Sequence, residues 1–279
     1  MGVCQLASTK DETASVALRD REVEKKEDSM RKRVVLTIAL VIALCAAVVG
    51  RVLAVEPPIV VRSGNVEMTI QGTGWPDALP KHKLAPISFK ASGKIATVDG
   101  THPPALEEVI VDVGERVGVN AGQFPTCTKQ EIAATSTEQA ERSCHDAIIG
   151  RGSGKVEVEF AEQKPFTATG PLVIFNGGEK DGKAMFLVHA YVAVPSPTAI
   201  VTTVVLTKEH KGPYRLHAVG TIPPIAGGAG SVTGFSMSLD RKGYFVAACN
   251  NGHFSIKVSA KYHDGTRVKG GFIRTCTGI

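Results

Sequence analysis

The eight histidines of this chain are its main candidates for acid–base chemistry. His189 lies within an apolar, strand-like run, where a buried imidazole needs a hydrogen-bond partner. We interpret His189 as a paired core residue and keep it as the candidate for a catalytic or ligand-binding histidine. His145 stands between Cys144 and Asp146, but neighbouring residues of a helix point apart, so these side chains cannot form a catalytic triad by themselves.

Aromatic side chains provide a second candidate, a surface that binds sugars. Aromatic rings are amphipathic and serve as platforms on which sugars stack. The chain has one tryptophan, Trp75, and four tyrosines, among which Tyr214 is the candidate neighbour. These two residues predict a ligand-binding surface around Trp75 and Tyr214.

One glycine-rich segment and one polar segment were natural candidates for phosphate and metal binding. The segment Gly150–Lys155 lacks the spacing of a phosphate-binding loop and precedes a strand, so we interpret it as a flexible loop. The segment Asn176–Asp181 carries several oxygen ligands, but Lys180 interrupts them, which is typical of a hairpin turn and not of a calcium loop. We predict no metal site and no cofactor.

The cysteines indicate the redox environment of the chain. Cys127, Cys144, Cys249 and Cys276 lie beyond the N-terminal segment, and an even number of cysteines in an exported protein predicts disulfides. More than one pairing is possible. Proximity in the sequence favours Cys127 with Cys144 and Cys249 with Cys276.

The segment between Cys127 and Cys144 decides whether that pairing can form. One straight helix would hold the two residues about 25 Å apart, which is too far for a disulfide. The segment has two helix-start signals, Thr128–Glu131 and Thr135–Glu138, which both match a capping box. Two short helices with a bend near Thr135 would bring the cysteines together.

The N-terminal part is considered apart from the folded domain, because targeting segments do not belong to the fold. Residues 1–29 are polar and charged, and we predict a disordered tail or an over-called start. Residues 30–55 contain a basic cluster and an uncharged run, which predict either a signal peptide or a single transmembrane anchor helix. In both cases the basic cluster stays inside, so residues 56–279 form an extracytoplasmic domain.

Alternation of apolar and polar residues predicts β-strands throughout the domain 56–279. The alternation is strict over Val66–Ile70, Phe235–Leu239 and Ile256–Tyr262, and the apolar runs Met185–Val194 and Ile200–Leu206 predict central strands. Glycine and proline turn signals separate these runs. The sequence therefore predicts a mainly β fold, an antiparallel β-sandwich with one short helical insertion.

A set of short motifs connects this domain with a known group of proteins. The motifs, in chain order, are Ala78-Leu79-Pro80, Ala85-Pro86-Ile87, Pro103-Pro104-Ala105-Leu106, Phe124-Pro125-Thr126-Cys127, Glu162-Gln163-Lys164-Pro165-Phe166, Phe175-Asn176-Gly177 and Arg274-Thr275-Cys276. In these motifs the chain resembles a family of secreted actinobacterial β-rich proteins that carries no assigned activity. The resemblance covers most of residues 66–277, and it implies export and this topology without implying a reaction. Residues 1–29 depart from the family pattern, which begins close to the hydrophobic segment.

Charge and motif content narrow the classes of function. The net charge is +5 over 279 residues, with no basic stripe interleaved with aromatics, which argues against nucleic acid as a partner. We predict a secreted or cell-envelope protein that binds a ligand or has a structural role. Its expected partner is an envelope component or another protein, and its contact with the membrane is through residues 30–55 alone.

The alternative function is an extracellular hydrolase whose site is assembled from distant residues such as His189. A cleft that holds His189 beside a carboxylate and a hydroxyl would favour this alternative. A core without such a cleft would favour binding.

Overall fold

The computed structural model of the chain describes residues 57–114, 116–193, 197–209 and 212–279. The predicted charged tail, residues 1–29, and the predicted signal peptide or anchor, residues 30–55, lie outside these ranges. Within the described ranges no helix has both the length and the apolar character needed to cross a membrane. The described residues form a mainly β, antiparallel fold with a short helical insertion, which confirms the predicted fold class.

Strands account for most of the described secondary structure. They are β1 Ile59–Ser63, β2 Val66–Trp75, β3 Ala78–Leu79, β4 Ala85–Thr97, β5 Leu106–Gly114, β6 Arg116–Val119, β7 Ile148–Val158, β8 Phe166–Lys180, β9 Lys183–Val192, β10 Thr198–Lys208, β11 Tyr214–Thr221, β12 Gly230–Leu239, β13 Phe245–Ala248, β14 His253–Tyr262, β15 Arg267–Thr275 and β16 Thr277–Gly278. The helices are α1 Lys129–Ile132 and α2 Thr137–Ser143, and short 3₁₀ turns are Ala121–Gln123, His145–Ala147 and Ala226–Gly228.

One antiparallel sheet contains most of these strands, in the order β1-β2-β4-β12-β7-β8-β9-β10-β11-β5-β14-β15. The sheet coils until its end strands meet, and a Cβ atom on Gly270 of β15 would lie 2.7 Å from Val61 Cγ1 of β1. In the described part of the chain, side-chain packing joins these two strands without a hydrogen-bonded ladder. The facing layers of the predicted sandwich are therefore opposite sides of one nearly closed sheet.

The segment Gly150–Lys155 lies in the middle of β7, so its interpretation as a flexible loop was wrong. β7 pairs with β12, and a Cβ atom on Gly152 would overlap the carbonyl oxygen of Ser236. Glycine is required there because the two backbones approach too closely for a side chain. The glycines at positions 150 and 152 therefore reflect the close approach of β12.

The hairpin turn predicted within Asn176–Asp181 is at the end of that segment only. Asn176 lies inside β8, at a bulge where the pairing with β9 shifts between Asn176 and Gly178. The turn itself is formed by Asp181 and Gly182, which both have positive φ. Asn176 lies outside the turn because it is paired with Phe186 of β9, and its side chain is fully buried and hydrogen-bonded.

The helical insertion has the predicted bend. Thr128 caps α1, and its backbone N–H donates to the Glu131 carboxylate at 2.7 Å. The second capping box begins at Ser136, one residue later than predicted, and uses the side chain of Gln139. Because Thr135 separates the two helices, the chain reverses direction there and the ends of the insertion come together.

Both disulfides favoured by sequence proximity are present. Cys127 is bonded to Cys144, with 5.6 Å between the Cα atoms, and Cys249 is bonded to Cys276, with 6.1 Å. A loop of this size closed by a disulfide contributes about 3 kcal/mol to stability. The first bond closes the helical insertion, and the second ties the end of β15 to the segment between β13 and β14.

The helical insertion covers the outer face of the central strands. Ile132 and Ala140 of the helices pack with Phe175 of β8, Leu187 of β9 and Val201 of β10. The central strands are therefore shielded from solvent by the helices on one face and face the interior of the sheet on the other, which explains why their sequences are continuously apolar.

Candidate functional site

The inner face of the sheet encloses an apolar cavity of about 470 Å³. Inward side chains from most of the strands form its wall, among them Val111, Leu172, Val188, Val204, Ala218 and Met237. Sites for small molecules have volumes in this range and walls that are mostly apolar. This cavity is the candidate functional site.

Short inward side chains leave this space unfilled. On β5 the inward residues are Val109, Val111 and Val113, and on β11 they include Ala218 and Gly220. The three valines are only partly buried, because valine is too short to reach the opposite wall. A sheet that filled its interior would bury these side chains completely.

The buried core is accordingly divided. One cluster contains Leu206 and Phe245, and another contains Ile70 and Val258, and all four residues also line the cavity. The two clusters support different parts of the wall. The space between them is available to a ligand.

The wall is interrupted between β2 and β15. β1 pairs with β2 only from Val66 to Ile70, so among the described strands none pairs with Gln71–Trp75 on that side. The segment Phe272–Thr275 of β15 faces this gap. We call the gap between Gln71–Trp75 and Phe272–Thr275 the window. The exposed residues of the cavity wall, apart from Lys155, cluster there: Trp75, Pro76, Asp77, Lys90 and Thr275.

Structural elements fix both ends of the window. At one end Val61 packs against Gly270, as described above. At the other end β16 pairs in parallel with β3, and the Thr277 N–H donates to the Asp77 carbonyl oxygen at 2.7 Å. The disulfide at Cys276 adds a covalent tie next to this ladder. The opening is thus held by defined contacts on either side.

Trp75 and Tyr214, the predicted aromatic surface, are in different places. Trp75 is 38% exposed at the window, and Lys90 Nζ lies 5.7 Å from its ring centroid. Tyr214 is not part of the cavity wall, and its ring instead has Lys257 Nζ at 5.8 Å. Within the described ranges no ring contact joins the two.

His189 is fully buried on the outer face of β9, beneath the helical insertion. Its Nε2 lies 3.1 Å from the carbonyl oxygen of Thr135, so Nε2 carries the proton and donates. Burial lowers the pKa of His189, and the hydrogen bond to Thr135 opposes this only in part, so the imidazole is held neutral. No carboxylate or hydroxyl is hydrogen-bonded to His189 in the described part of the chain, and its role there is to hold the bend between the helices.

A different histidine has the hydrogen bonds expected of acid–base chemistry. His102 lies in the loop between β4 and β5, with Nδ1 2.9 Å from the Glu157 carboxylate and Nε2 3.0 Å from Ser231 Oγ. Glu157 and Ser231 are paired across β7 and β12. This cluster could not be predicted from the sequence, because its members are far apart in the chain and only strand register brings them together.

The His102 cluster is on the outer face of the sheet. Val156 and Val232, next to Glu157 and Ser231 in their strands, line the cavity, so alternation directs Glu157 and Ser231 away from it. An open groove of about 660 Å³ borders the cluster. The groove and the cavity are therefore separate sites.

One group among the described residues has metal-ligating atoms in close proximity, formed by Cys127, Glu131 and Cys144. The two sulfurs are bonded to each other, and the Glu131 carboxylate accepts hydrogen bonds from Thr128. A disulfide sulfur is not a thiolate ligand, so this group does not form a metal site.

Comparisons of the chain with models of known protein families, with curated proteins and with solved structures find no match.

Proposed function

We propose that residues 56–279 form an exported binding protein that holds an apolar ligand inside its sheet. The observation that carries this proposal is the apolar cavity of about 470 Å³ with a window to the surface. Filling such a space with protein side chains would add about 0.8 kcal/mol for each buried methylene. A purely structural protein would gain from that filling, whereas a binding protein needs the space for its ligand.

Two disulfides support the proposed location, since they form and persist in oxidising compartments. We propose that residues 30–55 direct export, as a cleaved signal peptide or as an anchor, so that the domain is secreted or tethered to the membrane. The proposed partner is the envelope component that supplies or receives the ligand.

The test is a titration of the purified exported protein with phenylnaphthylamine, an uncharged dye that fluoresces in apolar surroundings. We expect saturable binding of one dye molecule per chain, because a dye inside the cavity removes apolar surface of both the dye and the cavity wall from water. Trp75 is the one tryptophan of the chain and borders the window, so its emission should change over the same concentration range. Absence of saturable binding, or binding without a response of Trp75, would contradict the proposal.

A second candidate, hydrolysis of an ester, is favoured by the Ser231–His102–Glu157 geometry. In that reaction Ser231 Oγ would attack the carbonyl carbon while its proton passes to His102 Nε2, with Glu157 accepting from Nδ1–H. His102 would return the proton to the leaving alcohol, and water would then release the acyl group from Ser231. This candidate ranks second because Ser231 is 1% exposed and its hydroxyl lies 2.5 Å from the Pro103 carbonyl oxygen, to which it donates.

The two candidates are separated by assaying nitrophenyl butyrate with wild type, Ser231→Ala and His102→Gln. A hydrolase of this type would lose at least about a thousandfold in kcat in both variants. We expect equal, background rates in all three proteins, because the hydroxyl is buried and engaged by Pro103. An activity that both variants abolish would place hydrolysis first.

A further inference from the structure

We infer that the ligand is a single-tailed amphiphile with an anionic head group, whose head is bound by Arg274 at the window. The inference rests on the proposed binding function and specifies the ligand class. Carboxylates and phosphates are the head groups that share this chemistry, because the planar guanidinium donates to either in a bidentate manner.

The position of Arg274 on β15 carries the inference. Val268 and Phe272 of the same strand pack in the inner core cluster, and Arg274 follows Phe272 by two residues. Side chains two residues apart point to the same face of a strand, so Arg274 is directed inward. Arg274 lines the cavity and its Nε atom is buried.

The other charged residues of the cavity wall have a different environment. Asp77, Lys90 and Lys155 are exposed, whereas Arg274 is half-buried. Lys90 lies beside Trp75 at the same window and adds a second positive charge there. Arg274 and Lys90 together make this part of the cavity wall positively charged, which is complementary to an anionic head group.

The remaining residues of the window suit the junction between head and tail. Gln71 and Thr73 carry polar groups at the edge of β2, and Trp75 presents an amphipathic ring. Phe272 lies two residues before Arg274 on the same face of β15, and a Cβ atom on Gly72 would be 3.1 Å from its ring. A bound amphiphile would therefore meet polar and charged groups at the window and aliphatic groups deeper in the cavity.

The experiment measures displacement of phenylnaphthylamine by dodecanoic acid, dodecyl phosphate and dodecanol, which are single-tailed and have twelve carbon atoms each. We expect wild type to bind at least one of the two anions about tenfold more tightly than the alcohol, because hydrogen bonds to charged groups are the strong ones. Arg274→Met should remove this preference while the affinity for dodecanol stays within about twofold. The comparison of acid with phosphate identifies which head group is preferred.

Arg267→Met is the matched control, because Arg267 is an exposed arginine on the opposite face of the same strand. It should retain the full preference, and Arg274→Lys should retain part of it. Equal affinity of wild type for all three ligands would overturn the head-group inference and leave apolar binding in place. Failure of every ligand and of the dye would overturn the binding function itself.

Discussion

Replacing Thr202 by phenylalanine should weaken the affinity for phenylnaphthylamine by about thirtyfold. Thr202 lies on β10 between Ile200 and Val204, and all three residues line the cavity. A phenyl ring at this position takes the space of about two or three methylenes of a ligand, which together contribute about 2 kcal/mol to binding.

The same substitution should leave the free energy of unfolding unchanged or raise it by about 1 kcal/mol. The ring enters existing space near Gly220, which has no side chain to displace, and its burial is favourable. Phenylalanine is also well accommodated in strands. Loss of binding with stability retained would therefore show that occupied volume, and not damage to the fold, is the cause.

Thr203→Phe is the control for this prediction. Thr203 is the neighbouring residue of the same type, and alternation directs it to the outer face of β10. Its substitution should leave dye affinity within about twofold of wild type. If Thr203→Phe weakened binding as much as Thr202→Phe, the dye would be binding outside the cavity.

The strands could be predicted from the sequence because a sheet with one face toward the interior and the other toward solvent alternates apolar and polar residues along each strand. Val66–Ile70 and Ile256–Tyr262 show that alternation, and both lie in strands whose inward residues form one cluster. The prediction failed at Gly150–Lys155, where the glycine spacing follows from the approach of β7 to β12. Composition alone cannot distinguish close strand approach from a loop.

The candidate site was less predictable than the fold. The burial of His189 could be inferred from its apolar neighbours, but its contact with Thr135 depends on how the helices dock. The cavity depends on the distance between opposite walls, which no local pattern of valines and alanines specifies. Arg274 belongs to the sequence motif Arg274-Thr275-Cys276, but only the register of β15 shows that its side chain points inward.

Asn176→Asp should lower the free energy of unfolding by about 4 kcal/mol at neutral pH. The Asn176 side-chain amide donates to the carbonyl oxygens of Ala121, Phe124 and Pro125, at 3.0, 3.1 and 3.0 Å. A carboxylate would place an oxygen against these carbonyls in a fully buried site, so the hydrogen bonds are lost and the groups repel one another.

Aspartate would keep the other contacts of Asn176, so the change isolates the amide. Asn176 Oδ1 accepts from the Gly178 N–H and from the Tyr244 hydroxyl, each at 3.0 Å. Burial raises the pKa of Tyr244 well above its usual range, so that the hydroxyl stays protonated and remains a donor. The loss of stability therefore measures how strongly the amide holds the segment that leads into the helical insertion.

The loss in free energy of unfolding caused by Asn176→Asp should become smaller as the pH falls toward about 4. A buried carboxyl surrounded by carbonyl oxygens has a higher pKa in the folded protein than in the unfolded chain. The folded protein therefore binds this proton more tightly, and the free energy of unfolding of the variant falls as the pH rises above the pKa of the carboxyl in the unfolded chain. Protonation also restores one donor to the site. Denaturant unfolding of wild type and variant at a series of pH values measures this difference.

Two other asparagines provide a graded comparison for this substitution. Asn120 is partly buried and its amide donates to a single carbonyl oxygen, that of Gly243, at 2.9 Å, so Asn120→Asp should cost about 1 kcal/mol. Asn250 is exposed, and Asn250→Asp should change stability by less than about 0.5 kcal/mol. Should Asn176→Asp cost no more than Asn120→Asp, the three carbonyl contacts would not be what anchors the insertion, and the disulfide at Cys127 would have to do so.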